Sequence, residues 1–116
     1  LEFRRVLFRS PELPTHPRHD LWKRDCKGSN GLLTIEFKQK YTIKQSEQFI
    51  DALTLFGIGA SWGGFESLAL PANVMGARTA TDWREGHGPF VRLHIGLESI
   101  DDLIADLTQA FSALNQ

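Results

Sequence analysis

Hydrophobic and polar residues alternate along two stretches of the chain, residues 32–38 and 91–97. A period of two predicts strands that bury one face and leave the other polar. The apolar positions are Leu33, Ile35, Phe37, Val91, Leu93, Ile95 and Leu97. The positions between them include Thr34, Glu36, Arg92 and His94. We therefore predict a sheet with one apolar and one polar face.

Two other stretches repeat apolar residues at helical spacing. The first begins at Thr42, which forms a capping-box pattern with Gln45, and is predicted to run to about Leu55 before Gly57 and Gly59 end it. Its predicted buried stripe is Phe49, Ile50, Leu53 and Phe56. The second helix follows Ser99 as the predicted N-cap. Its predicted stripe is Ile100, Leu103, Ile104, Leu107, Phe111 and Leu114.

Residues 61–67, Ser-Trp-Gly-Gly-Phe-Glu-Ser, lie between the two helices, and we name them the glycine corner. Two adjacent glycines predict a tight turn, because glycine alone accepts a positive φ without steric cost. Apolar residues before and after the corner predict two short strands that flank it. Pro71 is expected to begin a short helix over residues 71–75, and residues 76–90 are expected to form a loop.

The predicted order is strand, helix, strand, strand, strand, helix. This order is typical of a small α+β, two-layer domain with a mostly antiparallel sheet and the helices on one face. We assign that domain to residues 31–116. Residues 11–30 contain three prolines and are expected to be a surface entry segment, with no long helix before His19.

Residues 1–10 differ in composition from the rest of the chain, with Arg4, Arg5 and Arg9 among apolar residues. They resemble translated cloning, adaptor or assembly sequence, and we leave them out of the predicted fold. The alternative is a natural basic amphipathic arm.

The chain has 116 residues, which is enough for one domain. Its net charge of −1 gives no indication of nucleic-acid or membrane binding. Its single cysteine, Cys26, cannot form an internal disulfide and is typical of a reducing compartment. No apolar run approaches the ~20 residues that span a bilayer, and no secretory signal is recognisable. We therefore expect a cytoplasmic protein.

Arg92 is the first candidate for binding chemistry, because its planar guanidinium can hold a carboxylate through two parallel hydrogen bonds. The alternative is a surface ion pair with a nearby acidic residue. Ser61 and Trp62 are candidates for holding an anion with a hydroxyl and backbone N–H groups. The alternative there is a plain turn with the Trp62 ring packed over its own glycines.

Other polar residues are predicted to be structural. Glu66 and His94 are expected to make hydrogen bonds and not to act as acid or base. His16 and His19 are interpreted as surface histidines and not as metal ligands. The sequence has no phosphate-binding loop, no Gly-x-Gly-x-x-Gly motif, no CxxC pair and no nucleophile elbow. Nothing in it predicts a bond-breaking reaction by this chain alone.

The glycine corner and the predicted strand that contains Arg92 together resemble the C-terminal end of the pyridoxal-phosphate (PLP) enzymes of cysteine and methionine metabolism. The residues that carry the resemblance are 16–25, 28–32, 61–68, 91–98 and 101–107. It implies the small C-terminal domain of a fold-type-I enzyme, with Arg92 on the substrate α-carboxylate. Ser61 would lie beside cofactor and substrate, and the backbone at Trp62 would help to hold the carboxylate. PLP would be bound by the missing large domain, and the intact enzyme would be a homotetramer.

The resemblance also implies an activity. A tryptophan at the position of Trp62 looks like the branch of the family that cleaves cystathionine to homocysteine, pyruvate and ammonia. The γ-specific synthases and lyases usually carry leucine at that position. The family's Schiff-base lysine, phosphate loop and pyridine-nitrogen aspartate are missing, so we expect this chain alone to be inactive. Ala60 and Cys26 stand where the resemblance would place aromatic residues. A γ-synthase or γ-lyase, and a non-catalytic module that binds a small ligand or a protein, remain the alternatives.

Overall fold

The computed structural model describes residues 6–8, 10–72 and 87–115. Within these residues, five strands and three α-helices follow one another along the chain. They are β1 (Val6–Phe8), α1 (His19–Asp25), β2 (Leu32–Phe37), α2 (Ile43–Ala52), β3 (Gly57–Ile58), β4 (Leu68–Ala72), β5 (Phe90–His94) and α3 (Ile100–Ser112), with a final 3₁₀ turn at Ala113–Asn115.

The strands form one sheet in the order β1-β2-β5-β4-β3. Every neighbouring pair is antiparallel except β3 and β4, which are parallel. The predicted mostly antiparallel sheet is therefore confirmed. β5 lies in the middle, and its register places Arg92 between Thr34 of β2 and Leu70 of β4.

Helices α2 and α3 cover the apolar face of the sheet, as predicted for an α+β domain with two layers. Phe37 of β2, Phe49 of α2 and Phe111 of α3 are buried together. The Phe49 and Phe111 ring centroids are 4.5 Å apart, and those of Phe37 and Phe49 are 5.4 Å apart. The alternating apolar residues of β2 and β5 form one continuous core with the two helices, and Ile95 packs against it.

The strand predicted over 91–97 is shifted, because β5 begins at Phe90, inside the predicted loop, and ends at His94. Leu97, predicted on the apolar face, is 85% exposed, since the chain there leaves the sheet and its amide binds the Phe65 carbonyl.

The start of α2 is confirmed and its end is earlier than predicted. The Thr42 hydroxyl accepts from the Gln45 amide at 3.2 Å, and the Gln45 side chain accepts from the Thr42 amide at 2.8 Å, which completes the capping box. The helix ends at Ala52 and not near Leu55. Gly57 does not end it but belongs to β3. The chain leaves the helix early because Asp106 of α3 binds the amides that follow.

The predicted stripe of α3 is correct at four positions and wrong at two. Leu103, Leu107, Phe111 and Leu114 are buried. Ile100 and Ile104 are 71% and 43% exposed, whereas Asp106 and Ala110 are buried. The buried face of α3 is therefore shifted around the helix axis toward Asp106, because the Asp106 carboxylate binds the chain after α2. Ser99 is the N-cap residue, but its side chain makes no capping hydrogen bond.

The helix predicted to begin at Pro71 is wrong for residues 71–72, which belong to β4. Proline is tolerated there because β3 pairs with β4 only through Leu68 and Ala69, so no strand among the described residues pairs with that side of β4 at Pro71. Residues 73–75 of that helix and 76–86 of the predicted loop lie outside the described residues.

The N-terminal segments are partly as expected. Val6–Phe8 pairs with β2, and Val6 is buried in the core, so leaving residues 1–10 out of the fold was wrong for this strand. The foreign origin of the segment stays a prediction, and Arg4, Arg5 and Arg9 lie outside the described residues. Residues 10–30 are mainly turns with the short helix α1, none of whose residues is buried.

Candidate carboxylate site

Arg92 lies half-buried at the centre of the polar face. Its Nη2 donates a hydrogen bond of 2.5 Å to the carbonyl oxygen of Ala60, the residue before the glycine corner. Within residues 6–8, 10–72 and 87–115, no aspartate or glutamate forms an ion pair with it. The guanidinium is held in place by one backbone oxygen, and its charge is not neutralised by the described part of the chain.

A cleft of about 530 Å³ opens beside Arg92. Its lining includes Thr34 of β2, Trp22 of α1 and Cys26, which follows α1. Glu12 also lines the cleft, but its carboxylate accepts from the Ser10 hydroxyl at 3.2 Å. The cleft has room for a small ligand, and the surface ion pair considered for Arg92 is not formed within the described residues.

The glycine corner has the tight turn that its sequence predicts. Gly63 has a φ of +86°, and it is the one described glycine with a positive φ. Ser61 and Trp62, the other two predicted site residues, are exposed at this turn. The Trp62 side chain is 64% exposed, which does not fit a ring packed over its own glycines.

The corner is hydrogen-bonded to β5 and to the residues that follow it. The His94 ring is buried, with Nε2 3.0 Å from the Gly64 carbonyl oxygen and Nδ1 3.5 Å from the Gly63 amide nitrogen. The Leu97 amide donates to the Phe65 carbonyl at 2.9 Å. The structure thus brings the glycine corner against the strand that contains Arg92, and His94 makes hydrogen bonds as predicted. Neither Ser61 nor Trp62 is in the lining of the cleft beside Arg92.

A second link at the base of the corner was missed from the sequence. The Glu98 carboxylate accepts from the Ser67 amide at 3.1 Å and from its hydroxyl at 3.2 Å, and this hydroxyl accepts from the Gly96 amide at 2.8 Å. Burial acts to raise the pKa of Glu98, but hydrogen bonds from its own backbone and from Ser67, with His94 nearby, leave that pKa below its ordinary value. The structural hydrogen bonds expected of Glu66 belong to Ser67 and Glu98, since Glu66 is exposed and its side chain makes none within the described residues.

Asp106 was also missed. This buried carboxylate accepts from the backbone of Thr54 and Leu55 at 2.9 and 2.8 Å, and from the Thr54 hydroxyl at 3.0 Å. Burial acts to raise its pKa, but these bonds and one from Gln109 lower it overall. One signal was available in the sequence, because Asp106 stands three residues after Leu103 on the face that α3 buries.

Neither a metal centre nor a membrane helix is found in the described residues. They contain no group of three or more histidine, cysteine or acidic side chains that could hold a metal ion. His16 accepts from the Arg18 amide at 2.9 Å, and His19 stacks on Trp22. No described helix has the length and apolar character needed to cross a bilayer.

Comparison with known proteins identifies the family. Residues 3–112 match the family described as Cys/Met metabolism PLP-dependent enzyme. The chain belongs to this family. The resemblance drawn from the corner and the Arg92 strand is therefore confirmed, and the family assignment covers nearly the whole chain.

Individual members of the family are similar over most of this chain. Cystathionine beta-lyase of Bordetella avium is 50% identical over 86% of the chain and 25% of its own length. Human cystathionine gamma-lyase is 44% identical over 89% of the chain and 26% of its own length. A crystal structure of cystathionine gamma synthase from Xanthomonas oryzae pv. oryzae, with aminoacrylate and cysteine, superposes with a TM-score of 0.73 at 33% identity, over 95% of this chain and 28% of that one.

The chain spans about a quarter of the length of these relatives. The residues beside Arg92 cannot attach the family's cofactor covalently. None of the chain's five lysines lines the cleft, so no amine stands there to bind the PLP aldehyde. The described residues therefore offer a candidate carboxylate site, with no lysine in its lining for the PLP aldehyde.

Proposed function

We propose that this chain is the C-terminal, substrate-binding part of a PLP-dependent carbon–sulfur lyase of methionine biosynthesis. The intact enzyme cleaves L-cystathionine to homocysteine, pyruvate and ammonia. The observation that carries the proposal is Arg92, which lines a cleft on the polar face with no acidic partner among the described residues. A half-buried guanidinium without an acidic partner suits an anionic ligand.

In this proposal Arg92 binds the substrate α-carboxylate through two parallel hydrogen bonds. Its contact with the Ala60 carbonyl fixes the direction of the guanidinium before the substrate arrives. Ser61 lies beside substrate and cofactor, and the backbone at Trp62 supplies a further donor. Binding the carboxylate in one orientation aligns the bonds that are to be broken, which lowers the entropic part of the barrier.

PLP, bound by the part of the protein outside this chain, supplies the electron sink for the reaction. The lysine that transfers the α-proton also lies outside this chain. The described residues bind and orient the substrate and do not break bonds. We therefore predict that the 116-residue chain has no turnover with added PLP.

The preference for β-cleavage is supported by the 50% identity to the Bordetella avium beta-lyase and by Trp62 in the corner. A γ-specific enzyme is the second candidate. It is favoured by the 44% identity to human gamma-lyase and by the structural similarity to a gamma synthase. The two candidates share the carboxylate site and differ in the keto acid that they release.

The test uses the full reading frame from which this chain comes. The purified, PLP-loaded protein is supplied with L-cystathionine, and the keto acid is identified by mass spectrometry, with Arg92→Leu as the companion variant. Pyruvate, together with a large loss of activity in the variant, is the expected result. Release of 2-oxobutyrate would assign the protein to the γ-branch. A folded, PLP-loaded protein that releases no keto acid would favour a non-catalytic binding module.

The assembly and compartment of the intact protein are also proposals. We expect a homotetramer in the cytoplasm. The exposed free thiol of Cys26 is compatible with a reducing compartment. Analytical ultracentrifugation of the intact protein tests the assembly, and fractionation of the source cells tests the compartment.

A further inference from the structure

We propose that His94 is a positioning residue for the carboxylate site. It holds the glycine corner so that Ser61 and Trp62 face the same ligand as Arg92. This inference rests on the proposed function, since it assigns a residue that acts through the site described above.

The first observation is the spacing of two contacts along β5. Arg92 binds the carbonyl of Ala60, and His94, two residues further on the same face, lies against Gly63 and Gly64. The dipeptide Ser61–Trp62 therefore lies between two contacts, one at Ala60 and one at Gly63–Gly64, that are both made by side chains of β5. Moving either contact would move the dipeptide relative to the Arg92 guanidinium.

The second observation is the way in which the ring is bound. An amide N–H can only donate and a carbonyl can only accept, so these contacts assign the ring proton to Nε2 and leave Nδ1 as the acceptor. The ring is buried, with 8% of the residue exposed. A side chain that joins the peptide groups on the two sides of the Gly63–Gly64 pair restricts the turn between them, where Gly63 has its positive φ.

The third observation is that His94 is not needed to satisfy buried backbone groups. Gly63 and Gly64 are exposed, so water can replace the ring at both peptide groups. Removing the ring should therefore cost little hydrogen-bond energy, while it releases the conformation of the corner. A second anchor, Glu98 on Ser67, keeps the base of the corner in place when His94 is changed.

The test is a double-mutant cycle in the intact, PLP-loaded protein. KM and kcat for L-cystathionine are measured for His94→Leu, Arg92→Leu and the double variant, per mole of bound PLP. We expect His94→Leu to raise KM about tenfold while kcat changes less than about threefold. In the Arg92→Leu background the same change should alter KM less than about twofold, because the partner site is already lost.

Two further variants separate positioning from folding. His94→Gln keeps one donor and one acceptor and should restore KM to within about threefold of the wild type. His87→Gln removes a histidine at the opposite end of the polar face, beside Glu36, and should leave KM unchanged. If His94→Leu does not fold, His94→Met serves in the same cycle.

An equal effect of His94→Leu on KM in both backgrounds would overturn the proposal. So would an unchanged KM, with or without a lower kcat. An Arg92→Leu protein with wild-type KM and kcat would instead contradict the proposed carboxylate site itself, so the two failures are distinguishable.

Discussion

Asp106 of α3 and Thr54 are 52 residues apart in sequence and are joined by two hydrogen bonds. The same carboxylate receives the Leu55 amide, so it binds the chain between α2 and β3. Because β3 leads into the glycine corner, this contact sets where the corner begins. Asp106 therefore connects the helical layer with the site on the opposite face of the sheet.

Asp106→Asn should destabilise the intact protein by roughly 1–3 kcal/mol, because an amide oxygen cannot accept all the bonds that the carboxylate does. Urea unfolding followed by fluorescence measures this change. Asp51→Asn, an exposed aspartate on α2, is the matched control and should shift stability by less than about 0.5 kcal/mol. Equal shifts for the two variants would show that the Asp106 contacts are not stabilising.

Acid should weaken the fold through the same carboxylates. The pKa of Asp106 lies below its ordinary value of 3.8, and the pKa of Glu98 lies below 4.5. The stabilisation from each is complete above its ordinary pKa and is lost as pH falls through the lowered folded-state value. Urea midpoints measured from pH 6 to pH 2.5 should fall less steeply for Asp106→Asn than for the wild type. Parallel curves would contradict this assignment.

Local patterns predicted the elements whose stability depends on local spacing. Alternation was enough for β2 and for β5 as far as His94, but it wrongly extended β5 to Leu97. The Thr42 capping box was enough for the start of α2. Alternation also predicted that Thr34, Glu36, Arg92 and His94 share a face, because side chains in a strand point to opposite faces in turn. It did not predict that Glu36 and His94 are buried on that face. These predictions needed no information about distant contacts.

Predictions failed where the local structure depends on a residue that is distant in sequence. The exposure of Ile100 and Ile104 depends on Asp106, whose partners lie about fifty residues away. Ser67 and Glu98 are 31 residues apart, so their link leaves no local signal. Pro71 is also a local signal for a helix start, and it was overridden by the pairing of β4 with β5.

Gly96 should be required for the corner to pack against the end of β5. A Cβ built at Gly96 would overlap the Phe65 carbonyl oxygen and lie 2.6 Å from the Glu66 carbonyl carbon. Gly96→Ala should cost about 1–3 kcal/mol of stability and raise KM, because the backbone of the corner must move away. Urea unfolding and steady-state kinetics of the intact protein measure the two effects.

Gly64→Ala is the matched control for that substitution. Gly64 lies in the same corner, its φ is not positive, and a Cβ there would have no neighbour within 4 Å. Its carbonyl remains available to His94 after the change. We expect wild-type stability and KM. A Gly96→Ala variant that behaves like Gly64→Ala would show that close packing of the corner on β5 is not needed.

The central claim is that Arg92 recognises a carboxylate with its planar fork. Arg92→Lys keeps the positive charge and removes the two parallel hydrogen bonds, so it isolates geometry from charge. The most direct measurement is kcat/KM of the intact, PLP-loaded protein for L-cystathionine, compared between wild type and Arg92→Lys. We predict a loss of about 100-fold, which corresponds to roughly 2.7 kcal/mol of transition-state stabilisation. An Arg92→Lys enzyme with wild-type kcat/KM would contradict the account.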